Sequence, residues 1–299
     1  MTLKFEQHVE LPKHETGGFD HADIHLPSGH VFVAHTALGQ VDIVDGPAGN
    51  YLGAVPDCPE ASGVLSANAA NLMFAAARST GQILVLRMPS GELVRTIKVG
   101  SAPNGLAWDE GRQHLVVANV KDFKTRFISP ETGKELLEVA LPGRPRWCVY
   151  DQGRDCFWVN ISDPALVVGL AGDTGALSAS LSVAYRGPHG IAIDEATGRL
   201  LVACDSGDLV ALDPDSGNEL GHTQIAGPPD VVWYNSLRQC LYVAIGKPGV
   251  VQVIDIRDMK VLEEISTEEG AHTLTFDQTR QRLYIFLPQS SRMAVYNAA

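Results

Sequence analysis

Gly187-Pro188-His189-Gly190-Ile191-Ala192-Ile193-Asp194, followed by Gly198-Arg199-Leu200-Leu201-Val202-Ala203-Cys204-Asp205, decides how this chain is read. Two short apolar runs separated by a turn continue into a third, Leu209-Val210-Ala211-Leu212-Asp213, and then a second turn at Asp215-Ser216-Gly217. Runs of this length bounded by Gly, Asp and Ser read as strands. The position of His189 recurs as Asp20, Ser62, Asn104, Arg146, His189, Asp230 and His272, with gaps of 42, 42, 42, 43, 41 and 42 residues. A second column, Ala48, Ser90, Thr132, Thr174 and Ser216, keeps a spacing of 42, and each member is followed by glycine. A period in the forties with several strands per unit is the signature of propeller blades.

The expected fold is therefore all-β: a single seven-bladed β-propeller domain over residues 1–299, with four-stranded blades. Ser/Thr-Gly pairs stand where third and fourth strands must turn, because glycine accepts the positive φ of such turns. The last unit, 271–299, has room for three strands only. Residues 3–11 alternate apolar and polar and have no unit of their own. They are expected to supply the missing strand and close the ring, which protects the edge strands.

With 299 residues, 45% hydrophobic and 19% charged, the chain has a globular composition. A formal net charge of −12 disfavours nucleic acid and anionic membranes as partners, since both require a basic footprint. No run reaches the length of a membrane span, and the first residues lack the cationic and apolar regions of a signal peptide. Cys58, Cys148, Cys156, Cys204 and Cys240 are odd in number and scattered, which points to reduced thiols and a cytoplasmic location. Asp173-Thr174-Gly175 spells an aspartic-protease triplet, but it occupies the turn column. No Walker loop, HExxH or G-x-S-x-G elbow is present.

Leu115-Val116-Val117-Ala118-Asn119, and Leu241-Tyr242-Val243-Ala244 with Val253-Ile254-Asp255, resemble the YVTN-type repeats of YncE-like seven-bladed propellers over essentially the whole chain. The asparagine of that repeat stands at Asn119 and is replaced in other units, for example by His35 and Cys204. The resemblance implies the fold; propellers of this kind serve as scaffolds, ligand binders, lactonases and lyases. Pro188-His189-Gly190-Ile191 is also similar to the His-bearing strand starts of virginiamycin B lyase-like propellers, which use a magnesium ion held by histidines and glutamates.

In such a blade the first strand lines the central channel, so the 42-residue column is expected at the channel mouth. His189, Asp230 and His272 form a candidate ligand set for a divalent metal ion, the one cofactor this sequence suggests. Asp20 and His21 are candidates for proton transfer, and Arg146 for steering an anionic substrate. Asn104, Arg146, Trp147, Ser62 and His35 are the candidate ligand-binding residues. The same column also reads as a satisfied polar ring, with Asp230 accepting from both histidines. Arg78, Lys121, Lys124 and Lys247 are expected in loops on that face, with Phe123 or Trp147 as an exposed anchor. The loop 120–124 is expected to be one residue longer than its counterparts. Two functional readings stay open: a binding module for a small molecule or protein at the channel mouth, and a metal-dependent hydrolase or lyase.

Overall fold

The computed structural model describes residues 2–299. Seven separate four-stranded antiparallel sheets follow one another along the chain. Blade five, the reference unit, consists of Pro188–Asp194, Arg199–Cys204, Asp208–Leu212 and Glu219–Gln224, from axis to rim. The inner strand of each blade touches the inner strand of the next all the way round, and Ala22–His25 of blade one meets Thr273–Asp277 of blade seven. Blade seven is completed by Lys4–Glu10 from the opposite end of the sequence. That strand pairs antiparallel with Arg292–Asn297, Lys4 facing Asn297 and Glu10 facing Arg292. The chain is thus a seven-bladed β-propeller closed by its N-terminal strand.

The second and third strands of each blade are buried on both faces and read as continuous apolar runs, as in Leu115-Val116-Val117-Ala118. Such strands are sandwiched between neighbouring sheets, so alternation survives mainly in the outer strands. Lys134–Ala140 shows the outer pattern, exposed over most of its length. The hydrophobic core is divided among the blade interfaces. Phe32 and Ile43 of blade one pack with Met73 and Leu84 of blade two, and a comparable cluster fills each of the other six interfaces, including that between blades seven and one. The turn glycines behave as their column requires: Gly133 and Gly217 both sit at φ +73, outside the comfortable range of other residues.

One detail of the inner strands sets the geometry of the channel. In blades two to five the column residue lies inside the inner strand rather than just before it, and the ladder slips there. The irregularity falls between Pro103 and Gly105 around Asn104, and between Pro188 and Gly190 around His189. The same happens around Ser62 and around the pair Arg146 and Trp147. A bulge leaves its extra residue unpaired and re-aims the side chain. The glycine after the column residue gives the neighbouring blade room. A Cβ on Gly105 would lie 2.4 Å from the Arg146 carbonyl oxygen, and one on Gly190 2.6 Å from that of Asp230. Blade four has Trp147 at this place instead, and blade one has His21.

Two loop expectations are corrected. The blade-three loop spans 120–123 and matches the four-residue loops 78–81 and 162–165, so it is not longer. Lys124 begins the third strand, Lys124–Ser129, and pairs there with Glu138 at 2.5 Å.

Candidate functional site

At the end of the channel where the inner strands begin, the blades enclose a cavity of about 550 Å³. Asp20, Asn104, Arg146, His189 and Asp230 from the sequence column line it, joined by His21, Arg78, Lys121 and Arg144. Most of these side chains belong to one of two hydrogen-bonded clusters, one around His189 and one around Asp20. In the first, His189 Nδ1 is 2.8 Å from Asp205 Oδ1, and Nε2 is 3.1 Å from Asp230 Oδ1. Burial alone would discharge this imidazole, but Asp230 and Asp205 outweigh it and raise its pKa to about 9. His189 is therefore an imidazolium donating from both nitrogens. Asp230 is held far below the ordinary carboxylate range: burial opposes ionisation, and His189, His272 and His21 overcome it.

Across the cavity, His21 Nδ1 lies 2.5 Å from Asp20 Oδ1, and the Arg78 guanidinium donates to Asp20 Oδ2 at 2.9 Å and to the Asn104 amide oxygen. Burial and nearby Asp230 work against the Asp20 charge, but His21 and Arg78 prevail and its pKa falls. The His21 ring stacks on the Trp147 indole with centroids 3.9 Å apart and planes 8° from parallel. Blades one and four stand almost opposite each other in the ring, so this pair crosses the channel and forms the cavity floor.

The cationic side of the cavity is less well satisfied. Arg146 reaches Asp205 through one contact of 3.3 Å, and its Nε is buried with no hydrogen-bond partner; Arg78 Nε is in the same state. The Arg144 side chain makes no hydrogen bond or ion pair among the described residues. Burial, then Arg146 and Arg78, depress its pKa, which records three guanidinium groups within each other's field. Backbone strain gathers at the same rim: Glu60 and Ala102 hold φ of +52 and +51, where the equivalent positions elsewhere are Gly187 and Gly270.

Two expected ligand-binding residues are elsewhere. Ser62 is fully buried and its hydroxyl donates to the Pro103 carbonyl at 3.0 Å. His35 is also fully buried, with Nδ1 2.6 Å from Asp42 Oδ2 and Nε2 2.8 Å from His14 Nδ1. It packs on Phe19 within blade one and does not face the cavity. His272 sits at the edge, its Nε2 3.9 Å from Asp230 Oδ2. The donor set does not fit a metal ion as arranged. Both nitrogens of His189 are committed to carboxylates, and among the described residues no group of three or more His, Cys, Asp or Glu side chains is placed to hold one.

Asp205 and Arg144 were not picked out by the sequence column, yet both carried a signal. Asp205 lies sixteen residues after His189, as Arg78 does after Ser62, and Arg144 lies two before Arg146, as Glu60 does before Ser62. These companion columns keep the same period and meet the cavity from the neighbouring loops. The five cysteines are free and buried, and burial pushes the Cys58 and Cys204 thiols up to about 12, so none is poised as a nucleophile.

The fold and this charged cavity define a seven-bladed propeller with a polar site at one channel mouth. Compared with known proteins, the chain matches no family model and no curated sequence.

Proposed function

We propose that this propeller is a YncE-like binding protein that holds a small anionic ligand, a carboxylate or phosphate ester, in the mouth cavity. The observation that supports this most directly is the state of Arg144, Arg146 and Arg78. Three guanidinium groups share one cavity, one of them has no partner among the described residues, and two leave a buried Nε unsatisfied. Buried donors without acceptors are costly, and an anion bridging them recovers that cost. Asp20 and Asp230 are already engaged by Arg78, His21 and His189, and Glu60, the remaining carboxylate lining the cavity, is exposed at its rim. Asn104 and the imidazolium of His189 then supply orienting contacts beside the anion. Five free, buried thiols suit a reducing compartment.

Titration calorimetry at low salt with a panel of di- and tricarboxylates, phosphate monoesters and inorganic phosphate tests the reading. The Arg144 side chain makes no hydrogen bond or ion pair among the described residues, so Arg144→Ala removes a ligand contact and leaves its backbone bond to Ser162 in place. Loss of a charge-assisted hydrogen bond is expected to weaken binding by roughly 10- to 100-fold. If no anion of the panel binds, or if Arg144→Ala and Arg146→Ala bind as the wild type does, the reading fails.

A further inference from the structure

Beyond the His21–Trp147 floor the channel reopens into a second cavity of about 390 Å³, lined by the later residues of the inner strands. Its chemistry is the reverse of the mouth. No lysine or arginine lines it. Besides Trp147 of the floor, four aromatic side chains do: Trp108 of blade three, Tyr150 of blade four, and Trp233 and Tyr234 of blade six. Three of these rings are held in place through their polar ends. Tyr150 and Tyr234 donate their hydroxyls to Asp155 and Asp194 at 2.8 Å each, and Trp108 Nε1 donates to Glu110 at 2.7 Å. Those carboxylates are anchored in turn, Asp155 by Arg112 at 2.6 Å and Asp194 by Arg199 at 3.0 Å. Binding surfaces fixed in advance lose little entropy when a ligand arrives.

The acidic groups of this cavity differ in availability. Asp23 is buried and accepts from the Ser66 amide and hydroxyl and from the Ile24 amide. Glu195, at the rim, is exposed, and its carboxylate has no hydrogen-bond or ion-pair partner among the described residues.

We propose that this far-end cavity is a second binding site, for an organic cation: a substituted or quaternary ammonium carried on an apolar body. Aromatic faces attract cations through the ring quadrupole, and more strongly when water is excluded. The free Glu195 carboxylate supplies the complementary charge, and no lysine or arginine among the described residues lines the cavity to favour an anion. The part-exposed inner-strand aliphatic side chains, Leu65, Val149, Ile193 and Val232, accept the apolar part.

Benzyltrimethylammonium is the probe, followed by calorimetry and by quenching of tryptophan fluorescence. Its uncharged isostere neopentylbenzene and the anion phenylacetate are the comparisons. The cation is expected to bind saturably, about 10-fold more tightly than the isostere, with phenylacetate undetectable at this end. Glu195→Gln, at an exposed unpaired position, is expected to weaken the cation by roughly 3- to 10-fold, and Trp233→Leu by about 10-fold. Arg144→Ala at the mouth leaves cation binding unchanged, which separates this site from the anion site. The proposal is overturned if the cation does not saturate, if the isostere binds equally well, or if Glu195→Gln retains wild-type affinity.

Discussion

The two ends of the channel are built from the same seven inner strands and carry opposite chemistry. At the mouth, charged groups near the axis are set against one another, and His189 lies between two carboxylates. At the far end the comparable carboxylates are drawn into strand-end turns: Asp109 and Asp277 accept backbone amides and pair with Arg112 and Arg280, and aromatic side chains line the cavity instead. Where the strand begins, the bulge exposes consecutive residues to the channel. Arg146 therefore lines one cavity and its neighbour Trp147 the other. Past the bulge the ladder is regular, and one side chain in two can reach the axis. A local irregularity in pairing thus separates a polar chamber from an aromatic one.

Reversing the charge of the mouth would break the comparison most completely. Arg144→Glu with Arg146→Glu is expected to reduce anion affinity by more than about 1000-fold while the far-end cation probe binds as before. Parallel calorimetry on the two ligands reads both.

The next effect concerns pH. The folded pKa of His189, about 9, lies above its ordinary value of 6.5. Its charge therefore stabilises the fold fully below pH 6.5, and that contribution is lost as pH rises through 9. Urea unfolding is expected to show a fall of roughly 3 kcal/mol between pH 6.5 and 9.5, and His189→Gln to flatten the curve over that window. An unchanged slope in the variant would assign the fall to other groups.

Smaller still is the floor itself. Trp147→Leu keeps an apolar side chain but removes the stack on His21, which should lower stability by about 1 kcal/mol in the same assay and join the two chambers. Lys124→Ala marks the bottom of the scale. Its pair with Glu138 is part-exposed, so stability should change by less than about 0.5 kcal/mol and anion affinity not at all.

The repeat made the blades, their number and the closing strand legible, because a 42-residue period and an unmatched strand at 3–11 are properties of sequence order. It also brought Asp20, Asn104, Arg146, His189 and Asp230 together, since equal register in a ring means equal height along the axis. The period carried no information on where a side chain points. Ser62 and Asn104 share one column and the same bulge, yet Ser62 turns to the Pro103 carbonyl and Asn104 meets Arg78. His35 sits at a strand end that looked open, and a chain of hydrogen bonds through Asp42 and His14 keeps it inside the blade. Asp205 and Arg144 enter from loops, so reading the inner-strand column alone passed them by.

The seam in blade seven has a mechanical consequence. Elsewhere in the ring, neighbouring strands of a blade are joined by a turn, but Lys4–Glu10 and Arg292–Asn297 meet only through their ladder and side-chain pairs such as Arg292 with Glu10 at 2.6 Å. Lys4 and Asn297 face each other at one end of that ladder, so tension applied between them loads the hydrogen bonds one at a time. A ladder loaded in this way parts bond by bond, like a zipper, and the seam is the one place where a blade has no turn to hold its strands together.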